Sequence, residues 1–357
     1  MQPKKAPPAP PKPSPPPREA FTLAEQDSAT VPGIPNARFW GDSRPAFEAA
    51  LPSAGGPWLA LSSGGADGAF GAGVLTGWSA AGQRPEFALV TGVSTGALMA
   101  PFVFAGAKYD DRLRDAYTTI NATDIFELGG KGESFFDTWP LRDLIAKRVT
   151  PELLADIAAE HRKGRRLLVM TTNLDAERPV AWNMGEIASA GTEAGLKLFR
   201  DILLAAGSIP GAFPPVLIGV EAGGKKFQEM HGDGGMNNQF YVAPASLLTP
   251  TSAAKLPAPA LYIVINTRLT PEFQVTERST LSIIARGVSI IVKSLTRAMI
   301  DQTYSAAKRS NVPFKLAVID PKFNAPSRGT FDTEYMKTLF ALGFERGKAG
   351  TAFQDEP

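Results

Sequence analysis

A chain of 357 residues with 44% apolar and 20% charged residues has the composition of a folded globular protein, which excludes wholesale disorder and a collagen-like repeat. Its 37 Lys and Arg against 35 Asp and Glu leave a net charge of +2, so there is no electrostatic ground for a nucleic-acid partner. Without Cys, and with His161 and His231 as its two histidines, it can form neither a disulfide nor a Cys/His metal site.

Residues 1–17 hold nine prolines together with Lys4, Lys5 and Lys12. Such a stretch stays extended in polyproline II and builds no core, so residues 1–20 are read as a tether and 21–357 as one folded domain. No apolar stretch follows the basic residues, as a secretory leader would require. The prolines then suit a stalk left after removal of a signal, and the expectation leans to a cell envelope over the cytoplasm. The longest run of apolar and small residues, 97–107, is too short to span a bilayer and is broken by Pro101.

Between 21 and 56, Pro32, Pro35, Pro45 and Pro52 forbid long helices and leave a short one near 46–50. A short buried strand is expected at 58–62, then a glycine-rich loop at 63–68 and a helix of small apolar residues at 69–81, closed by Gly82. A second apolar strand at 87–91 leads through 92–96 into a second apolar helix. This βαβα rhythm predicts a parallel sheet covered on both faces. Further helices are expected at 137–149, 151–162 and 193–206, the last ended by Gly207. A strand at 166–173 pairs with 180–183 across a turn at 175–177. Then follow a β-branched strand at 261–266, a long helix at 282–308, a strand at 314–319 and a closing helix at 333–348.

The glycine-rich stretches are poor phosphate cradles. No frame between Gly64 and Gly77 supplies a dinucleotide fingerprint, and no Lys lies between Lys12 and Lys108 to complete a Walker loop. Gly92-Val93-Ser94-Thr95-Gly96 does match G-x-S-x-G. Between an apolar strand and an apolar helix, small flanking residues let the backbone turn sharply and expose Ser94 at a helix N-terminus, where developing negative charge is favoured. An ordinary turn with an N-capping Ser would carry the same string. A nucleophilic Ser also needs a base and an oxyanion site. His161 stands in a solvated charge run, Glu160 to Arg166. His231 and Asp233 stand in Met230-His231-Gly232-Asp233-Gly234-Gly235, where glycines let a carboxylate approach another loop.

Leu61-Ser62-Ser63-Gly64-Gly65-Ala66-Asp67-Gly68-Ala69-Phe70, the elbow Gly92 to Gly96, Asp233-Gly234-Gly235 and the stretch Ala206 to Val216 together resemble the patatin-like phospholipase family of bacterial-type serine lipid acyl hydrolases. The resemblance covers roughly 58–245, with its motifs in order. It implies a three-layer α/β/α fold with a mostly parallel central sheet and a Ser–Asp dyad: Ser94 as nucleophile, Asp233 as general base, and backbone N–H groups around Gly64, Gly65 and Ala66 as oxyanion hole, with Gly68 turning the loop into its helix. It implies no metal and no cofactor. Lipids or simpler esters would be the substrates, which leaves room for peripheral membrane contact and none for nucleic acid. Acceptance of the Ser94 proton requires a poorly solvated Asp233.

Two positions depart from the family loop: Ser63 replaces its first glycine, and Asp67 replaces its Arg or Lys. An acidic residue at the mouth would repel a phosphate and favour neutral esters. Two competing readings stay open: a catalytically weak lipid-binding protein with the same fold, and a Ser-His-Asp esterase using His231 with Asp175. Substrate contact is expected from the loop Gly129 to Phe136, although Phe135, Phe136 and Trp139 would equally form a satellite apolar cluster.

Overall fold

The computed structural model describes residues 17–129 and 134–357. Nine strands form one sheet: β1 (Arg38–Trp40), β2 (Trp58–Leu61), β3 (Leu89–Val93), β6 (Arg166–Asn173), β7 (Arg178–Asn183), β8 (Val216–Ala222), β9 (Lys225–Asp233), β10 (Leu261–Ile265) and β11 (Phe314–Val318), while β4 (Glu127–Leu128) and β5 (Phe136–Asp137) make a small separate hairpin. The centre, in the order β6-β3-β2-β10-β11, is parallel throughout. β7 and β1 extend it antiparallel beyond β6, and the β8–β9 hairpin joins β6 antiparallel.

β2 and β3 are buried along their whole length because both faces of the sheet are covered, and the side chains of the central strands alternate between two cores. Leu59, Leu61, Val90, Leu167 and Val169 join a cluster with the helices Gly68–Ala80, Thr95–Ala105 and Thr333–Lys348. Trp58, Ala60, Leu89, Val93, Leu168 and Met170 join a second cluster, with Phe240 to Ala243 and the C-terminal half of the helix Thr280–Ser310. Helices on both faces of one sheet make the three-layer α/β/α fold that the βαβα rhythm predicts.

The second apolar strand runs to Val93, so the elbow glycine Gly92 lies inside β3 and the turn itself is a single residue, Ser94. The β8–β9 hairpin was not among the expected strands; Gly223-Gly224, with φ values of 57° and 83°, make its tight turn, and burial alternates along both arms. At the N-terminal side, residues 1–16 of the expected tether and Gly130 to Glu133 of the expected substrate loop lie outside the described residues. Arg18, within the stretch expected to be a tether, pairs with Asp175 at 2.7 Å.

Candidate active site

Ser94 joins β3 to the helix Thr95–Ala105 at φ 53° and ψ −121°. For a residue with a Cβ that conformation costs about 1–3 kcal/mol, and it is held by what surrounds it. A Cβ on Gly92 would overlap the Gly96 carbonyl, and one on Gly96 would overlap the Leu61 carbonyl of β2. The elbow therefore closes against its neighbouring strand and aims the Ser94 hydroxyl over the sheet's C-terminal edge, at the helix N-terminus.

Asp233 arrives there through register. β3 and β9 occupy the same edge of β6 in succession: Val93 pairs with Met170, and Asp233 pairs with Thr171, the next residue along. The two strand ends meet, and Ser94 Oγ donates a 2.6 Å hydrogen bond to Asp233 Oδ2. Oδ1 accepts from the Gly235 N–H at 2.7 Å, and Gly234 leaves no room for a Cβ against the Met170 backbone. Burial pushes the Asp233 carboxyl up to about 6, with the hydrogen bonds from Ser94 and Gly235 working in the opposite direction.

The glycine-rich loop lies beside this pair. Gly64, at φ 157°, would drive a Cβ into the Asn266 backbone, whereas Gly65, at φ 56°, faces open space beside Ser94. Gly65–Asp67, including Ala66, form one 3-10 turn, and Gly68 begins the next helix against Thr95 and Tyr117. Asn266, just beyond β10, holds the loop: its Nδ2 donates to the Ser62 carbonyl at 3.0 Å, its N–H donates to Ser62 Oγ at 2.8 Å, and its Oδ1 accepts from the Gly71 N–H at 3.1 Å. The Ser63 N–H donates to the Gln239 carbonyl at 2.8 Å and its hydroxyl to the Gln239 side chain, whose Nε2 donates to the Gly235 carbonyl at 2.6 Å. Ser63, the departure from the family glycine, thus ties the glycine-rich loop to the loop of Asp233. Asn266 and Gln239 were not singled out from the sequence. A polar residue ending a β-branched strand is a readable signal for Asn266, since sites form at the C-terminal ends of parallel strands; Gln239 has no local signal.

Ser94 and Gly65 line two cavities at once. One is a narrow slot of about 90 Å³ walled by apolar side chains, among them Leu98, Phe102, Ile145, Leu203 and Phe213. The other is a wider cleft of about 530 Å³ that also touches Asp233, with Ile209 and Met236 on one wall and Val288, Ile291 and Leu295 on another. Among the described residues no group of three or more His, Asp or Glu is placed to hold a metal ion.

A family model described as patatin-like phospholipase matches residues 59–246, from β2 to beyond Asp233. The chain belongs to the patatin-like phospholipase family. Membership supports lipid ester hydrolysis as the general activity and lipids as substrates. Among solved structures the chain is similar to that of VipD from Legionella pneumophila, at 13% identity and a TM-score of 0.45, over 85% of this chain and 68% of that one. No curated protein matches.

In this patatin-like chain His231 stands apart from the serine. Its Nδ1 is 3.0 Å from Thr171 Oγ1, its Nε2 is 3.2 Å from Glu229, and its ring meets the edge of Trp182. Glu229 is in turn ion-paired to the buried Arg38. Asp175 is taken by Arg18 and the Met230 N–H, and His161 by Glu186. The geometry accordingly joins Ser94 to a carboxylate and not to a histidine, against the Ser-His-Asp reading.

Asp67 also departs from its expected setting. It lines the wider cleft, but Tyr335 donates to it at 2.6 Å, and burial pushes its carboxyl up to about 6. Arg268 and Lys293 line the same cleft with Glu272. The cleft therefore carries three acidic side chains, Asp67, Glu272 and Asp233, and two basic ones, and the repulsion of phosphate expected from Asp67 alone is countered in part by cations brought from the segment after β10 and from the long helix. The expected satellite cluster divides likewise: Phe136 packs against Phe126 and meets Phe213 edge-on, while Phe135 and Trp139 are exposed.

Proposed function

We propose that the protein is a serine lipid acyl hydrolase that cleaves carboxylic esters through a Ser94–Asp233 dyad. The observation that carries this reading is the 2.6 Å hydrogen bond from Ser94 Oγ to a buried carboxylate at the junction of an apolar slot and an open cleft. The slot takes the acyl chain and the wider cleft the alcohol part of the lipid. Asp233 Oδ2 accepts the serine proton as Oγ attacks the ester carbonyl. The negative charge of the tetrahedral intermediate falls between the N–H groups of the Gly64 to Ala66 turn and the N-terminus of the helix Thr95–Ala105. Collapse expels the alcohol, which takes the proton back from Asp233 and leaves an acyl-Ser94 ester. Water deprotonated by Asp233 then attacks that ester and frees the acid.

A panel of p-nitrophenyl esters and phospholipid vesicles, assayed with wild type and Ser94→Ala, tests the proposal together with fluorophosphonate labelling. Wild type should hydrolyse the esters and be labelled at Ser94, and the variant should do neither. A folded wild type that is neither labelled nor active would leave the lipid-binding reading in its place.

A further inference from the structure

Fourteen large apolar side chains are exposed among the described residues; four of them, Ile209, Met236, Val288 and Ile291, line the cleft, and eight more lie on segments that carry or adjoin these. Seven belong to the helix Thr280–Ser310 and the stretch before it: Phe273, Val275, Ile283, Ile284, Val288, Ile290 and Ile291, from 48% to 96% exposed. Ile209 and Met236 stand on the opposite wall. Beyond Ile209, the hairpin residues Leu128, Phe135 and Trp139 are joined to the same loop by the Phe135 N–H bonding the Gly211 carbonyl at 2.9 Å. Scattered exposed apolar residues need no explanation, but a set gathered round one opening does.

The helix explains how the set is built. Ile284, Val288 and Ile291 fall on one stripe, continued by the cleft-lining Leu295, with Ile283 and Ile290 beside it. Arg286, Lys293 and Arg297 fall on the neighbouring face, next to Ile283 and Ile290, and bind the backbone of residues 269–272, which anchors that face and leaves Val288, Ile291 and Leu295 along the cleft. From Arg268 to Arg297 there are five basic residues and two acidic ones, with none acidic between Thr280 and Ile300.

We propose that this rim is the face by which the protein docks on an anionic lipid surface, seating the Ser94 cleft against the membrane. The proposal rests on the lipid-hydrolase reading for the site. Apolar side chains beside an excess of basic charge suit the acyl boundary and head groups of such a surface, and Trp139, its indole N–H on Glu127 at 2.9 Å, is of the interfacial type. A second copy of the chain fits less well, because a two-fold contact through this face would set basic surface against basic surface.

The test uses Ser94→Ala, so that lipid is bound and not consumed. It should cosediment with vesicles of phosphatidylcholine and phosphatidylglycerol and less with phosphatidylcholine alone. Adding Ile283→Asp and Ile284→Asp should lower partitioning by roughly tenfold or more, and Trp139→Ala severalfold. With Ser94 restored, the Ile283→Asp/Ile284→Asp protein should hydrolyse a soluble short ester within about twofold of wild type while its turnover of vesicle lipid collapses. Docking on vesicles without lipid turnover in wild type would overturn the hydrolase reading and keep the docking face. Equal vesicle binding with and without the two Asp substitutions, no binding by a folded parent, or a dimer that those substitutions convert to monomer would overturn the docking proposal.

Discussion

At the scale of single residues, the site depends on a carboxylate kept out of water. The folded Asp233 carboxyl stands near 6, against about 3.9 in an unfolded chain. Because the shift is upward, the folded state loses stability as pH rises through about 6 and regains it as pH falls towards 4. Asp67 is shifted the same way by burial and adds to the effect. Catalysis needs the ionised form, so kcat/KM should fall below about pH 6, and a flat profile between pH 5 and 8 would contradict the assignment. Asp233→Asn should reduce kcat by about a thousandfold or more while its Tm at pH 8 stays at or above that of wild type. His231→Gln should instead keep most activity per folded molecule and lower Tm, since it loosens the buried contacts with Glu229 and Thr171. The reverse pattern of activities would hand the base role to His231. For Asp67, bonded to Tyr335, Asp67→Arg should destabilise the fold without a selective gain on phospholipid; matched kinetics on neutral and anionic substrates, with melting curves, check this.

At the scale of elements, two contacts besides the Gln239 tie bear on the glycine-rich loop. The first is Asn266, which reaches from the end of β10 to Ser62 and Gly71. Asn266→Ala removes two side-chain hydrogen bonds, to Ser62 before the loop and Gly71 after it, and leaves the loop glycines in place; the expected result is a fall in kcat of roughly tenfold to a hundredfold with KM little changed. An unaltered kcat would show that the loop holds itself. The second contact lies behind the loop, where the helices Gly68–Ala80 and Thr333–Lys348 cross. Cβ atoms on Gly73 or Gly77 would overlap the backbone of Phe340 or Phe344, and those on Gly343 or Gly347 the backbone of Phe70 or Val74. Backbone that close cannot make room for a side chain. Gly77→Val should cost about 3 kcal/mol or more, visible as a fall in Tm of many degrees, whereas a substitution at the open Gly219 should be almost neutral.

At the scale of the whole molecule, the meeting of Ser94 and Asp233 is an outcome of sheet topology. Ser94 ends a parallel strand and Asp233 an antiparallel one, and they meet because β9 takes up the edge of β6 one residue beyond the end of β3. The proline-rich composition of residues 1–17 is that of a tether. Deleting residues 1–16 should leave Tm and turnover of soluble esters unchanged, while extending the deletion through Arg18 also removes its ion pair with Asp175. Melting curves of the two truncations separate a tether from a packed segment.

Much of the candidate site was legible from the sequence because the requirements of such a site are local. A nucleophile elbow needs small residues around the serine, a loop offering several N–H groups in one direction needs glycines, and a carboxylate that must reach another loop is flanked by glycines; each leaves a short string in order along the chain. Strand and helix positions followed from apolar periods, and the spans 166–173 and 333–348 fell at their observed bounds. What tertiary structure alone decided are relations between segments far apart in number. Asn266 reaches a loop some 200 residues earlier, Arg268 and Lys293 counter Asp67 in part across the cleft, and His231 is drawn into a buried contact with Glu229 and away from the serine two residues' reach from Asp233. No local pattern records these, because each depends on strand order and register, and those are set by how the two cores pack on the sheet.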